Sequence, residues 1–257
     1  TAEELPKLIT DGYTFAGWYN GENEVTTEYK ISSDLNLTAK WNADTDTAYT
    51  VEHYQQNTTD DGYTLFETEE KNGATDSETL ATPKEYTGFI AQSIEQGTIL
   101  PDGSTVVKVY YDRKVFTLTF DNDGGSGIKS ITEKYGTTIT APENPTKEGY
   151  SFMGWNQEIP KTMPAENVTV YGGWSINEYT ISFVENGGSV VEDITQDYAT
   201  EVTAPAIPSK VGHTFAGWYS DEACTKAYTF TSMPAANTTV YAKWTINSYT
   251  INFVANG

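Results

Sequence analysis

One seven-residue stretch recurs almost unchanged: Gly12-Tyr13-Thr14-Phe15-Ala16-Gly17-Trp18, Gly149-Tyr150-Ser151-Phe152-Met153-Gly154-Trp155 and Gly212-His213-Thr214-Phe215-Ala216-Gly217-Trp218. A second tryptophan follows each copy about one hairpin later, at Trp41, Trp174 and Trp244, and these pairs account for all 6 tryptophans. A catalytic site is assembled once per domain from dissimilar residues, whereas a packing unit is repeated. The chain therefore reads as an array of small modules. Equivalent strands start at Phe116, Tyr179 and Tyr249, which sets a period of roughly 60 to 70 residues. Units of that size bury only about 60% of their unfolded surface and lean on their neighbours.

Period-2 alternation dominates the pass along the chain, and helical periodicity is almost absent. Residues 1–47 form a partial module with Leu35, Leu37, Ala39 and Trp41 on one strand face, followed by a short acidic connector. Residues 48–114 form a module without tryptophan. Tyr49, Val51 and His53 alternate with polar neighbours, and Val106–Tyr111 is apolar on both faces, as in a central strand. Residues 115–178 and 179–248 are tryptophan modules with matching landmarks: Asp121–Gly125 and Asn186-Gly187-Gly188 as first turns, then Pro142/Pro145 and Pro205/Pro208, then Met163-Pro164 and Met233-Pro234. Residues 249–257 open a further copy. Residue 1 falls inside a repeat and residue 257 just after a strand begins, so the sequence reads as an excised segment and missing targeting signals carry no information about location.

The formal charge of −21 is spread over every module, from −7 in 48–114 to −4 in 179–248. Such a field repels nucleic acid and anionic lipid and keeps a long array soluble, so neither is expected as a partner. No apolar run approaches the ~18 residues of a membrane span, and no insertion is expected from this segment. Cys224 is the single cysteine, which rules out an intrachain disulfide.

The tryptophan modules resemble the Listeria–Bacteroides repeat, or internalin-type B repeat, through Tyr179-Thr-Ile-Ser-Phe183, Asn186-Gly-Gly188, Pro205/Pro208, Gly212–Trp218, Met233-Pro234 and Val240-Tyr-Ala-Lys-Trp244. Residues 48–114 resemble a mucin-binding-protein repeat through Tyr49-Thr-Val-Glu-His-Tyr54, Thr87-Gly-Phe89 and Asp102–Arg113. Both resemblances imply β-grasp, ubiquitin-like modules in an elongated tandem array, mainly β or small α+β, each with a mixed sheet over a short helix. Segment 74–86 is the place for that helix, although Thr79, Thr82 and Pro83 form helices poorly. The resemblances further imply an extracellular, cell-wall or secreted protein of a Gram-positive bacterium, and host glycoprotein or mucin glycans as partners.

Each candidate chemistry has a plainer reading beside it. The indoles serve either as sugar platforms or as core. Trp41, Trp174 and Trp244 continue aliphatic strand faces, and burying ~200 Å² of each at ~25 cal/mol/Å² contributes at most about 5 kcal/mol. Trp18, Trp155 and Trp218 face opposite to Phe15, Phe152 and Phe215 unless the intervening glycine makes a bulge. These nine residues are expected in the core.

Tyr54, Tyr63, Tyr86, Tyr110 and Tyr111 are the candidate ligand-binding surface of 48–114. His213 and Cys224 lack an oriented third group, and His213 stands where other copies carry tyrosine. An EF-hand count from Asp121 puts Thr132 where a glutamate is required, so a hairpin turn explains Asp121–Gly124 better than a calcium loop does. Asn167 and Asn237 begin glycosylation sequons, but they recur at one turn before one strand, which favours turn chemistry. No lysine, asparagine and acid trio recurs that would form an isopeptide staple. No catalytic residue, cofactor or metal is expected. Tyr249, Ile251 and Phe253 either pair head to tail with residues 1–41 of another copy or complete the preceding module. The function expected is a non-catalytic stalk or presentation module, with adhesion through 48–114 as the alternative.

Overall fold

The computed structural model describes residues 4–255, and every described element is a strand. By packing, the chain separates into two compact units: 1–118 with 131–139 and 160–168, and 119–130 with 140–159 and 169–257.

In the first unit, strands β1 (Tyr13–Asn20), β2 (Asn23–Glu24) and β3 (Thr38–Ala43) form a sheet in the order β2-β1-β3. Then come β4 (Thr47–Gln56), β5 (Tyr63–Gly73), β6 (Phe89–Ala91) and β7 (Val106–Arg113), in the order β5-β4-β7-β6. Within that second sheet, β4 and β7 run parallel at the centre, with β5 and β6 antiparallel outside them. Val107, Val109 and Tyr111 point into the core while Val106, Lys108 and Tyr110 point away, so β7 is central but keeps a one-sided burial pattern.

A third sheet takes β8 (Val115–Asp121), β9 (Ile131–Lys134), β10 (Tyr150–Trp155) and β11 (Val168–Ile176), in the order β10-β11-β8-β9. In the second unit, β12 (Glu178–Val184), β13 (Ile194–Asp197), β14 (His213–Tyr219) and β15 (Thr238–Ile246) form the fourth sheet, in the order β13-β12-β15-β14. Here β12 and β15 are the parallel central pair. The sheets of 48–114 and 179–248 thus share one plan despite their different compositions.

The helix implied by the resemblance is absent: residues 74–88 are turns and extended chain. Side chains hold its backbone groups instead. Gln96 accepts from Ala81 N–H and Thr79 Oγ1 and donates to Ala81 C=O, while Leu80 and Lys84 N–H groups donate to the Tyr49 and Tyr111 hydroxyls. With donors satisfied sideways and Pro83 breaking the ladder, a helix gains nothing.

Residues 249–255 do not complete the preceding module. β12 already fills the parallel position beside β15, and Tyr249, Ile251 and Phe253 stand exposed. Residues 256–257 and 1–3 of the segments expected to pair in trans lie outside the described residues. β15 begins at Thr238, supported by β12, whereas the corresponding strand β3 begins only at Thr38, and no strand lies beside Leu35–Leu37 among the described residues.

Candidate functional site

The indoles come first, because they decide whether this surface is a receptor. In all three tryptophan modules the ladder slips by one residue, between Phe15 and Gly17, Phe152 and Gly154, and Phe215 and Gly217. The glycines sit at φ +137°, +109° and +123°, a region closed to other residues. The slip is the bulge that brings phenylalanine and tryptophan onto one face. Phe15–Trp18, Phe152–Trp155 and Phe215–Trp218 pack edge to face at 5.8, 5.2 and 5.4 Å, and each phenylalanine packs the same way on Trp41, Trp174 or Trp244.

Only Trp218 is buried, while Trp18, Trp41, Trp155, Trp174, Trp244, Phe15, Phe152 and Phe215 are half-buried. The half-buried rings are nevertheless engaged. Trp174 Nε1–H donates to Asn122 C=O at 2.8 Å, Trp244 to Glu185 C=O at 2.7 Å and Trp18 to Pro6 C=O at 2.7 Å. A Cβ on Gly125 would lie 2.5 Å from the Trp174 ring, and one on Gly188 2.4 Å from that of Trp244. The double-glycine turns are therefore landing pads for indole.

Lys147 explains the calcium-like turn, since its Nζ lies 3.7 Å from Asp123 Oδ2 and donates to Asp123 C=O. Asn167 and Asn237 use Oδ1 to accept the Thr117 and Thr180 N–H groups at 2.8 and 2.9 Å, so both sequon asparagines serve as strand caps. His213 Nδ1 and Cys224 Sγ each contact local backbone carbonyls, of Val211 and Glu222.

The five tyrosines of 48–114 do not form one surface. Tyr54, Tyr63 and Tyr110 gather on the outer face of the sheet, with Tyr110 5.3 Å from Tyr54 and 5.0 Å from Tyr63. Two of the hydroxyls are held by carboxylates: Tyr54 donates to Glu52 and Tyr63 to Asp112, which raises both phenols above the ordinary range. Gln92 donates to Tyr63 and Asp112, and Lys108 stands over the Tyr54 ring. An open cavity of about 450 Å³ adjoins Tyr110, lined also by Ser93, Glu95, Gln96 and Lys108. The arrangement offers stacking area rimmed by hydrogen-bonding groups.

Tyr86 and Tyr111 lie on the opposite face. Tyr111 is buried in the core and Tyr86 packs on it at 4.7 Å, so neither joins the outer cluster. They surround His53, a β4 residue to which strand alternation alone assigns no role. His53 is fully buried, with Nδ1 2.8 Å from Tyr111 Oη. Its Nε2 lies 3.6 Å from Glu69 and has no hydrogen-bond partner among the described residues. Burial, with Lys84 nearby, holds its pKa below the usual histidine range, and Glu67 and Glu69 oppose that only in part. Lys84 and Tyr86 both donate to Glu67, which keeps that carboxyl acidic. The signal for His53 was its place in phase with Tyr49 and Val51.

Comparison with known proteins identifies the repeat. The model of the Listeria-Bacteroides repeat domain matches residues 1–42, 116–172 and 179–243. A protein of Evansella cellulosilytica described as a Gly-rich membrane protein is 34% identical over 96% of this chain, and Internalin H of Listeria monocytogenes is 34% identical over 59%. The chain spans 32% and 29% of those relatives' own lengths. The Bacillus anthracis TIE protein aligns with 82% of the chain and 54% of its own, at 9% identity and a TM-score of 0.38. Matched over most of its length by that model, the chain belongs to the Listeria–Bacteroides repeat family.

Proposed function

We propose that the chain is a non-catalytic repeat segment of a bacterial surface protein that holds other domains away from the cell, divided into modules at 1–47, 48–114, 115–178 and 179–248, with 249–257 the first strand of a further module. The observation that carries this is the use of the aromatic side chains. Each indole packs on the phenylalanine of its own module, Trp174 and Trp244 also lie over glycine turns, and Trp18, Trp174 and Trp244 tie their Nε1–H groups to backbone carbonyls. A ring committed in this way is a poor hand for a guest. The repeat family, and the description of two relatives as membrane proteins, support the reading.

Tyr54, Tyr63 and Tyr110 favour a second reading, adhesion to host glycans through 48–114. A mucin pull-down and a glycan array with the whole chain test the choice. A spacer gives no binding at millimolar glycan, whereas saturable binding abolished by Tyr110→Ser replaces it with an adhesin.

A further inference from the structure

Three joints between consecutive modules use one hydrogen-bond relay. Asp44 N–H donates to Gly12 C=O, and Thr75 N–H donates to Asp44 C=O, both at 2.9 Å. Lys114 N–H donates to Gly88 C=O at 2.9 Å, and Tyr135 N–H to Lys114 C=O at 2.8 Å. Asn177 N–H donates to Gly149 C=O and Tyr198 N–H to Asn177 C=O, both at 2.9 Å. The receiving glycines are left-handed, at φ +69°, +82° and +76°. They are also covered: a Cβ on Gly88 would fall 2.3 Å from the Tyr135 ring, one on Gly149 2.0 Å from the Tyr198 ring, and one on Gly12 2.6 Å from Pro101.

The inserted side is equally regular. Thr75, Tyr135 and Tyr198 each precede a left-handed residue, Asp76, Gly136 or Ala199. The N–H of that residue returns to a carbonyl of its own module, from Ile99, Met163 or Met233. Two of these three are not glycine, so the strain is held by that bond.

Gly212 repeats the receiving half and stands uncovered. Its φ is +73°, Asn247 N–H donates to its carbonyl at 2.8 Å, and among the described residues nothing lies within 4 Å of a Cβ built on it. Thr214 Oγ1 donates to Asn247 Oδ1 at 2.6 Å, as Ser151 Oγ does to Asn177 Oδ1 at 2.6 Å in the filled joint. Val211 and Tyr249 beside it are exposed.

We propose that the Gly212–Asn247 face is a docking socket for another module of this repeat type, which inserts the residue pair equivalent to Tyr135-Gly136 and Tyr198-Ala199. The occupant is a module continuing from Tyr249. Tyr249-Thr-Ile-Asn-Phe253 repeats Tyr179-Thr-Ile-Ser-Phe183, the strand that leads to Tyr198 in the filled joint. The inference holds for spacer and adhesin alike, because it concerns how modules connect.

Two experiments test it by amide exchange. In the chain as it stands, Gly149→Ala accelerates exchange of the Tyr198 amide at least about tenfold while amides of β12 and β15 hold; no change there overturns the socket. The second experiment appends a copy of residues 188–248 after Gly257, so that Tyr249–Gly257 begins a complete module. The copied Tyr198 amide is then protected to within about tenfold of the original, and Gly212→Ala removes that protection. A copied module with a protected core and a freely exchanging tyrosine amide overturns the proposal. Dimers of the unextended chain that vanish with Gly212→Ala would assign the socket to a second copy and overturn the continuing module as occupant.

Discussion

Residues 48–114 and 179–248 use the same strand order and fill it with different chemistry. In 179–248 the parallel pair carries Ile181, Phe183, Val240 and Ala242, closed over by Trp218 and Met233. In 48–114 the corresponding space holds Tyr49, Val51, Val107, Val109 and Tyr111, with an imidazole buried among them. One core is sealed by a large apolar ring, the other by hydroxyl and imidazole groups that must find partners in place. A sheet plan of this kind is specified by alternation and turn positions, and it accepts either filling as long as volume and hydrogen bonds are satisfied. The two fillings then respond differently to mutation and to pH.

The sharpest break in the comparison is Trp218→Ala. It removes the most buried indole and leaves a cavity, so thermal or urea unfolding of 179–248 loses about 3 to 5 kcal/mol. A loss under about 1 kcal/mol would mean that the ring is not a keystone. Tyr111→Phe is the counterpart in 48–114. It strands the Lys84 N–H and His53 Nδ1 at once, and an unpaired buried donor costs about 1 to 3 kcal/mol. If the variant matches the parent in urea, the polar core is decorative.

Acid distinguishes the two modules more gently. His53 is held below its ordinary value of 6.5, so the unfolded chain takes up the proton first. The stability from neutral His53 is complete above 6.5 and is lost as pH falls from there through the lowered folded value. The groups facing the ring are Tyr111, Tyr86, Lys84, Glu67 and Glu69, and the two carboxylates temper the loss. Hydrogen exchange at pH 7.5 and pH 5.5, corrected for intrinsic rates, is expected to show 48–114 loosening more than 179–248. Equal behaviour would remove His53 from the account. The smallest effect on stability is expected from Tyr110→Ser on the outer face, within about 0.5 to 1 kcal/mol by urea unfolding.

Much of this was legible from residues alone, through repetition. The spacing of the glycine–tryptophan strands and the alternation in Tyr49, Val51 and His53 point to strands and to faces. Alternation alone set Trp218 opposite Phe215, and only the bulge at Gly217 reconciles them, because one inserted residue reverses every later side chain. Plain alternation separates Tyr110 and Tyr111 onto opposite faces, a division that tyrosine content alone does not reveal. The helix in 74–86 came from resemblance. It fails because Gln96, Tyr49 and Tyr111, distant in sequence, take its hydrogen bonds. The joints were invisible for the same reason, since each relay links residues up to about one module apart.

The central claim is that the indoles belong to the interior of the modules. Nitrogen-15 NMR of the six indole N–H groups, with mucin glycans titrated to millimolar concentration, tests it most directly. The account predicts slow solvent exchange for Trp18, Trp174 and Trp244, whose Nε1–H groups bond to carbonyls, and no shift of any indole signal on titration. Fast exchange at those three, or indole signals that move in saturable fashion with glycan, would contradict it.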